Sequence, residues 1–248
     1  LVLDKLARFF FPKLISNNFK NKCIDSAYQW IIKRLNGKDG LGGIFPAMVN
    51  ALIALNIDEK RRYTKYIPTC KESIDNLIVE KKDYAYCQPC LSPIWDTGWM
   101  AHVLLETKNK NVDDIVKWFL DKEIKVPGDW CINNKKLKPG GWAFQFNNDY
   151  YPDVDDTALV GMFLDRYNKI KKNKRIEECL ERTRKWIISM QSENGGWGAF
   201  DINNDKYYLP RIFCYFDDVI GSEAEMYGQF NGELLAIQEF NEKNEKIL

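Results

Sequence analysis

Apolar side chains recur every three to four residues along much of this chain, a spacing that places them on one face of an α-helix. Stripes of this kind run through residues 24–31 and 179–190. Residues 48–57 and 112–123 also carry a helical pattern. Sustained alternation of apolar and polar residues, which would indicate strands, is scarce. The pattern therefore predicts an all-α fold.

Four connecting segments are dense in glycine, proline, asparagine and aromatic residues, and this composition predicts long loops. They cover residues 36–46, 83–97, 126–153 and 194–216. Long loops on a helical scaffold often carry function, because the scaffold fixes their ends while their side chains remain accessible. The chemistry of this chain is therefore expected in these segments.

A degenerate repeat runs through the helical pattern. Residues 30–40 (WIIKRLNGKDG) resemble residues 186–197 (WIISMQSENGGW), and a looser copy runs from Trp118 to Trp130. The copies share an apolar helix end, a polar turn, and then glycine or an aromatic residue. Repetition of this kind is typical of stacked helical units that bury one continuous core.

Composition and charge narrow the classes of function. With 45% apolar and 14% aromatic residues, the chain has the composition of a folded globular protein. Its formal net charge of +1 gives no electrostatic basis for binding nucleic acid, which depends on clustered lysine and arginine. No apolar run approaches the length of a membrane span.

The seven cysteines are an odd number with irregular spacing, which argues against a secreted disulfide framework and favours a reducing compartment. Cys87 and Cys90 form one CxxC pair. A zinc site normally needs a second such pair or clustered histidines, and His102 is the single histidine of the chain. We therefore interpret the cysteines as structural and His102 as a helix residue rather than a ligand.

The N-terminal segment 1–12 combines leucine, valine and phenylalanine with Asp4, Lys5 and Arg8. A short amphipathic helix of this composition can lie in a membrane interface, with its cations on the polar side. A helix packed on the protein core has the same pattern. The sequence leaves both interpretations open.

The most informative segment is residues 139–158, where a loop rich in glycine and aromatic residues leads into a helical pattern. Asp153, Asp155 and Asp156 fall within four residues at the start of that helix. Crowded carboxylates repel one another, so at least one should have a raised pKa and keep its proton at neutral pH. The aromatic faces of Trp142 and its neighbours would stabilise a carbocation through their quadrupoles.

Three interpretations of this cluster remain open from the residues alone. Aspartate at a helix N-terminus caps free N–H groups, although that need explains one or two carboxylates rather than three. A cation site is the second interpretation, but an EF-hand loop has glycine at its sixth position, where this chain has Ala158. The third is a catalytic acid beside an aromatic wall, an arrangement that suits alkene protonation followed by cyclisation.

The same segment closely resembles the DxDD region of bacterial squalene–hopene cyclases, and residues 191–198 resemble the QW repeat of that family. Three further stretches match the family in the same order: residues 43–50, 88–97 and 127–130. The resemblance covers about residues 20–220. Five ordered motifs are far more specific than one DxDD sequence.

The resemblance implies a fold of α/α barrels built from helical repeats and present only in part. Residues 1–90 would be the end of a first barrel, with a membrane-facing helix at 1–12, and residues 91–248 the start of the catalytic barrel. Because full-length members are much longer and this chain starts at Leu1, we expect a middle portion of a longer protein.

The resemblance also implies a reaction, its partners and a location. The reaction is protonation of a terminal double bond of squalene or a related isoprenoid, which starts a cyclisation to hopanoids and needs neither cofactor nor metal. We expect a monotopic protein on the cytoplasmic face of a membrane, without nucleic acid as a partner, and a homodimer as its assembly.

Individual roles carry over by position. Asp155 would be the proton donor, and Asp153 and Asp156 would support it. The other matched positions would line the cavity or stabilise the cation: Trp95, Asp96, Trp142, Phe144 and Phe200. Gln191 and Trp197 belong to the QW repeat, whose role in the family is structural.

The sequence departs from the family at one supporting residue. The family hydrogen-bonds its central aspartate to a histidine that follows a Phe-Cys-x-Phe segment; here residues 213–216 match that segment, but residues 223–230 contain no histidine. This departure keeps an inactive remnant, or a helical module that binds isoprenoids, open as an alternative. A protein prenyltransferase β-subunit is a further alternative, but its zinc site of Asp, Cys and His is not evident.

Overall fold

A computed structural model describes most of the chain. The described residues are 16–58, 60–108, 112–132, 137–200 and 202–203. They form two compact units, residues 16–91 and residues 92–203. The expected membrane-facing helix at 1–12 and the segment 213–230 lie outside the described residues.

The described part of the first unit contains three α-helices and one short hairpin. The helices are α1 (Asn17–Arg34), α2 (Phe45–Asn56) and α3 (Ile67–Asp75). Strand β1 (Ile78–Glu80) pairs antiparallel with β2 (Ala85–Cys87), with Val79 opposite Tyr86.

A small apolar cluster joins the helices of the first unit. Tyr28 of α1 packs with Ala51, Leu55 and Cys70 from α2 and α3. The Tyr28 hydroxyl donates a hydrogen bond of 2.7 Å to the Ala54 carbonyl, so the polar end of this buried ring is also paired. At the start of α1, the Ser16 hydroxyl accepts the Phe19 N–H and caps the helix.

The described part of the second unit contains four α-helices: α4 (Pro93–Glu106), α5 (Val112–Lys122), α6 (Val154–Ile170) and α7 (Lys174–Ser189). Helix α6 packs against both α4 and α7. It is buried on nearly every side, and its core residues include Val160, Phe163 and Leu164. A helix enclosed in this way can hold a polar group away from water at its N-terminus.

Hydrogen bonds and close packing fix both ends of the long connection between α5 and α6. The Glu123 carboxylate accepts two hydrogen bonds, of 2.6 and 2.8 Å, from the Arg182 guanidinium of α7. The Ile124 N–H donates to the Gly141 carbonyl. A Cβ atom on Gly140 would lie 2.7 Å from the Arg182 backbone, so only glycine allows this approach to α7.

The all-α prediction is confirmed, and all four predicted helices are present. The short hairpin was not predicted, because strands of three residues are too short to show alternation. The predicted loop at 83–97 is also partly wrong: it contains β2, and α4 begins at Pro93, within the first turn where proline is tolerated.

The described residues bear on two other expectations. The cysteines among them, including Cys87 and Cys90, are free thiols. No helix within the described ranges combines the length and the apolar character needed to cross a bilayer.

Candidate active site

Asp153 is the N-cap of α6. Its carboxylate accepts the backbone N–H groups of Asp155 and Asp156, with N···O distances of 3.1 and 3.3 Å. The residue has extended backbone angles, as a cap requires. The capping interpretation is therefore correct for Asp153, and it accounts for one of the three carboxylates.

Asp155 and Asp156 occupy the first turn of α6 in different surroundings. Asp155 is half-buried, and its carboxylate accepts the Asp156 N–H at 3.1 Å. Asp156 is fully buried, and neither of its carboxylate oxygens has a hydrogen-bond partner in the structure. Charge on Asp156 would be costly, because an ion without partners is poorly solvated inside a protein.

A fourth carboxylate approaches from α4. Asp96 lies in the first turn of that helix, where the Ser92 hydroxyl donates to it at 2.7 Å. Asp96 is exposed, and its negative charge acts on Asp156. The structure thus brings Asp96 close enough to act on the acid cluster, although 57 to 60 positions of the chain separate them.

Burial controls the protonation of this cluster. It raises the pKa of Asp155, although backbone N–H groups partly offset the effect. Burial, followed by the charges of Asp155 and Asp96, raises the pKa of Asp156 to about 8. These effects exceed the stabilisation that a helix N-terminus gives to a carboxylate. At neutral pH the cluster therefore retains a proton.

Trp142 lies in the core rather than on a cavity wall. Its ring is 0% exposed, and its indole N–H donates to the Phe119 carbonyl at 2.8 Å. Its backbone N–H donates to the Thr157 hydroxyl, and its carbonyl accepts the Asp153 N–H at 2.8 Å. These contacts fix the start of α6, so in this structure Trp142 positions the aspartates.

The other aromatic candidates are more accessible. Trp95 is half-buried beside Asp96 in sequence, and its ring meets the edge of Trp99. Phe144 is half-buried. Phe200 is 45% exposed and packs edge-on against Tyr151 at 6.5 Å.

Backbone pairing brings the Phe200 segment to the acid cluster. The Val154 N–H at the start of α6 donates to the Ala199 carbonyl at 2.9 Å. The preceding QW turn closes α7: the Trp197 indole N–H donates to the Ile187 carbonyl, and the Gln191 amide donates to the Gly195 carbonyl. These contacts fit the structural role expected of the repeat.

Thr157 is a residue that the sequence interpretation missed. It is fully buried, and its hydroxyl accepts the Trp142 N–H at 2.9 Å. Its position could have indicated this role, because a polar residue directly after the aspartates lies on a helix turn that must be buried. Its contact links the loop to the helix that carries the acids.

The cluster also has features of a cation site. One carboxylate oxygen from each of Asp153, Asp155 and Asp156 lies within 4.8 Å of the others. However, Asp153 and Asp155 already accept backbone N–H groups, whereas calcium and magnesium need six or more oxygen ligands. The hydrogen bonds therefore favour a capped acid cluster over a metal centre.

Comparison with known proteins gives matches along nearly the whole chain. A family model described as the squalene-hopene cyclase N-terminal domain matches residues 1–83. A second, described as the squalene-hopene cyclase C-terminal domain, matches residues 91–247.

Individual relatives agree with the family models. A squalene–hopene cyclase of Bradyrhizobium diazoefficiens is 43% identical over 220 residues, covering 85% of this chain and 32% of that protein. The enzyme of Schizosaccharomyces japonicus is 45% identical over 82% of this chain and 32% of its own length. The squalene–hopene cyclase of Alicyclobacillus acidocaldarius is 38% identical over 90% of this chain and 36% of its own length. The chain thus spans about a third of these curated relatives.

The buried proton should make stability depend on pH. The pKa of Asp156 in the folded protein lies above its usual value of 3.8. The stability that this group contributes is therefore fully present below pH 4 and is lost as pH rises towards 8. Asp156→Asn removes this group while keeping its shape. The free energy of unfolding of both proteins is measured by urea titration. We expect the value for the wild type minus that for Asp156→Asn to fall from pH 5 to pH 8.

The exposed Asp149 of the same loop provides the control. Asp149→Asn should leave the pH dependence of the wild type unchanged. A constant difference between the wild type and Asp156→Asn across this pH range would contradict a buried, protonated carboxyl at this position.

Proposed function

The chain belongs to the squalene–hopene cyclase family, and we propose that it carries the acid that starts triterpene cyclisation by protonating a terminal alkene of squalene. Family membership assigns its helical domains to the α/α-barrel class. It does not favour a prenyltransferase β-subunit. The observation that carries the proposal is the group of crowded carboxylates at the start of α6, with Asp156 fully buried.

Two residues of this cluster are candidates for the donor, and their surroundings distinguish them. A donor must reach the alkene and must leave a stabilised carboxylate behind. Asp155 meets both conditions, because it is only half-buried and accepts the Asp156 N–H. Asp156 meets neither, because its oxygens are buried without a partner. We therefore assign Asp155 as the donor, in agreement with the family motif.

The proposed step transfers one proton. Burial raises the pKa of Asp155, which favours uptake of a proton from solvent by Asp155 before each turnover. Its O–H bond then breaks as the alkene CH carbon uses its π electrons to form a new C–H bond. The bonding pair of the O–H stays on the Asp155 carboxylate, and a tertiary cation forms at the neighbouring carbon. The next double bond then attacks this cation and closes the first ring.

Stabilisation of both charges lowers the barrier. The Asp156 N–H already points at the Asp155 carboxylate, so no reorganisation is needed as charge develops there. Phe144 and Trp95, both half-buried, would stabilise the cation with their ring faces. Asp156 retains its proton and so adds no second negative charge next to the donor.

The membrane is the natural source of so apolar a substrate, and we assign its attachment to residues 1–12. Their mixture of aliphatic and aromatic side chains with Lys5 and Arg8 suits a membrane interface on the cytoplasmic side. The protein should float with vesicles of anionic and zwitterionic lipid, and a variant lacking residues 1–12 should not. Equal flotation of both forms would reject this attachment site.

Replacing the donor should abolish cyclisation while leaving the fold intact. Asp155→Asn keeps the shape of the side chain but removes its acidic proton, so we expect turnover of squalene to fall at least about 1,000-fold, equivalent to about 4 kcal/mol. Product is measured by gas chromatography–mass spectrometry, in the longest form of the protein that is active, and folding by circular dichroism.

Asp149→Asn is the matched control and should retain wild-type turnover. Substantial turnover by Asp155→Asn would reject Asp155 as the acid. A wild type without any turnover in its longest form would instead support the inactive remnant.

Activity should survive strong chelators. Alkene protonation needs no metal to remove a diphosphate group, and the local hydrogen bonds already engage two of the three clustered carboxylates. We expect equal turnover before and after dialysis against EDTA. Loss of activity that magnesium or calcium restores would favour the cation interpretation of the cluster.

A further inference from the structure

His102 of α4 is buried between helices of the second unit, and both of its ring nitrogens make contacts. The Nε2 atom lies 3.2 Å from the Leu159 carbonyl of α6. The Nδ1 atom lies 2.9 Å from a guanidinium nitrogen of Arg166, also on α6. Neither partner was evident from the sequence, which indicated only a histidine on a helix.

The chemistry of the two partners defines the protonation of the imidazole. A guanidinium can only donate, so Nδ1 must accept and carries no hydrogen. The hydrogen therefore lies on Nε2, which donates to the Leu159 carbonyl. His102 is thus a neutral imidazole in this arrangement. The charge of Arg166 is balanced by Glu106 of α4, with which it forms an ion pair.

The same helix pair carries the two most distant members of the acid cluster. Asp96 lies six residues before His102 on α4, and Leu159 lies three residues after Asp156 on α6. The helices are in close contact at this level, because a Cβ atom on Gly98 would lie 2.6 Å from the Leu159 side chain. A shift of α4 would therefore move Asp96 relative to Asp156.

Aromatic packing holds the imidazole in place. Its ring meets the Phe163 ring edge-on at a centroid distance of 5.8 Å, and the Trp99 ring at 6.2 Å. Phe163 belongs to α6 and Trp99 to α4, so the imidazole packs against rings on both helices, while both of its nitrogens contact α6. An aliphatic side chain could fill much of this space but could form neither hydrogen bond.

We propose that His102 is a positioning residue for the acid cluster: its hydrogen bonds to Leu159 and Arg166 hold α4 against α6, and thereby hold Asp96 close to Asp156 and exclude water from Asp156. The role of His102 in catalysis rests on the proposed function. The contacts themselves do not depend on that function, so they are tested by a measurement that requires no turnover.

The test is an NMR titration of the Asp156 side-chain carboxyl in protein labelled with ¹³C-aspartate, assigned with Asp156→Asn. Asp156 is faced by Asp155 on its own helix and by Asp96 on α4. If α4 moves away, both the burial and the Asp96 charge act less on Asp156. We expect His102→Leu, which removes both hydrogen bonds, to lower the pKa by about one unit or more, a tenfold change in proton affinity.

Two conservative variants separate the two bonds. The amide nitrogen of His102→Gln can replace Nε2 and donate to the Leu159 carbonyl, whereas the amide oxygen of His102→Asn can replace Nδ1 and accept from Arg166. Each should retain more of the raised pKa than His102→Leu does. These variants also provide the test if His102→Leu fails to fold.

Tyr167→Phe is the control, because it removes a hydrogen bond between α6 and Asp113 of α5 without touching α4. It should lower the melting temperature and leave the Asp156 titration unchanged. If the folded His102 variants also lose stability but titrate like the wild type, His102 has only a packing role and the proposal is wrong. This conclusion holds whether or not Asp155 is the catalytic acid.

Discussion

A carboxyl group buried without a hydrogen-bond partner is the constraint on which the second unit and its proposed chemistry depend. Both oxygens of Asp156 are buried and unpaired, and the cost of ionising such a group is high enough that it keeps its proton instead. This state persists only while the surrounding helices exclude water. Helix α6 is enclosed on nearly every side, and its first turn is fixed by the Asp153 cap and the Trp142 backbone.

A raised pKa has two opposing consequences for an acid. It ensures that a proton is present at neutral pH, but it also makes that proton harder to give away. The structure separates these effects between neighbouring residues. Asp156 has the larger pKa increase and no partner for a negative charge, whereas Asp155 has a backbone N–H directed at its carboxylate. In the proposed step Asp156 keeps its own proton, while Asp155 gives up a proton and its conjugate base forms where it is stabilised.

Sequence alone predicted four of the described helices and the helical start after Asp153, together with the three clustered aspartates and, through the family resemblance, Asp96. Only the family resemblance separated Asp155, as the donor, from Asp156; the residues alone did not, because the difference in their burial exists only in the folded structure. It also suggested that Trp142 faces the substrate. An aromatic residue in an irregular loop has no periodicity to show which way its ring points, and the bond to the Phe119 carbonyl exists only once α5 has packed. The His102 contacts with Leu159 and Arg166 were inaccessible for the same reason.

The origin of the hydrogen that enters the product shows directly whether the aspartate cluster protonates squalene. Squalene would be turned over in D₂O by the longest active form of the protein, and the label located by mass spectrometry and NMR. Because the acid exchanges its proton with solvent before each turnover, we expect one carbon-bound deuterium per product molecule, at the carbon that was the terminal alkene CH. Cyclised product without deuterium at that carbon would contradict protonation by the aspartate cluster.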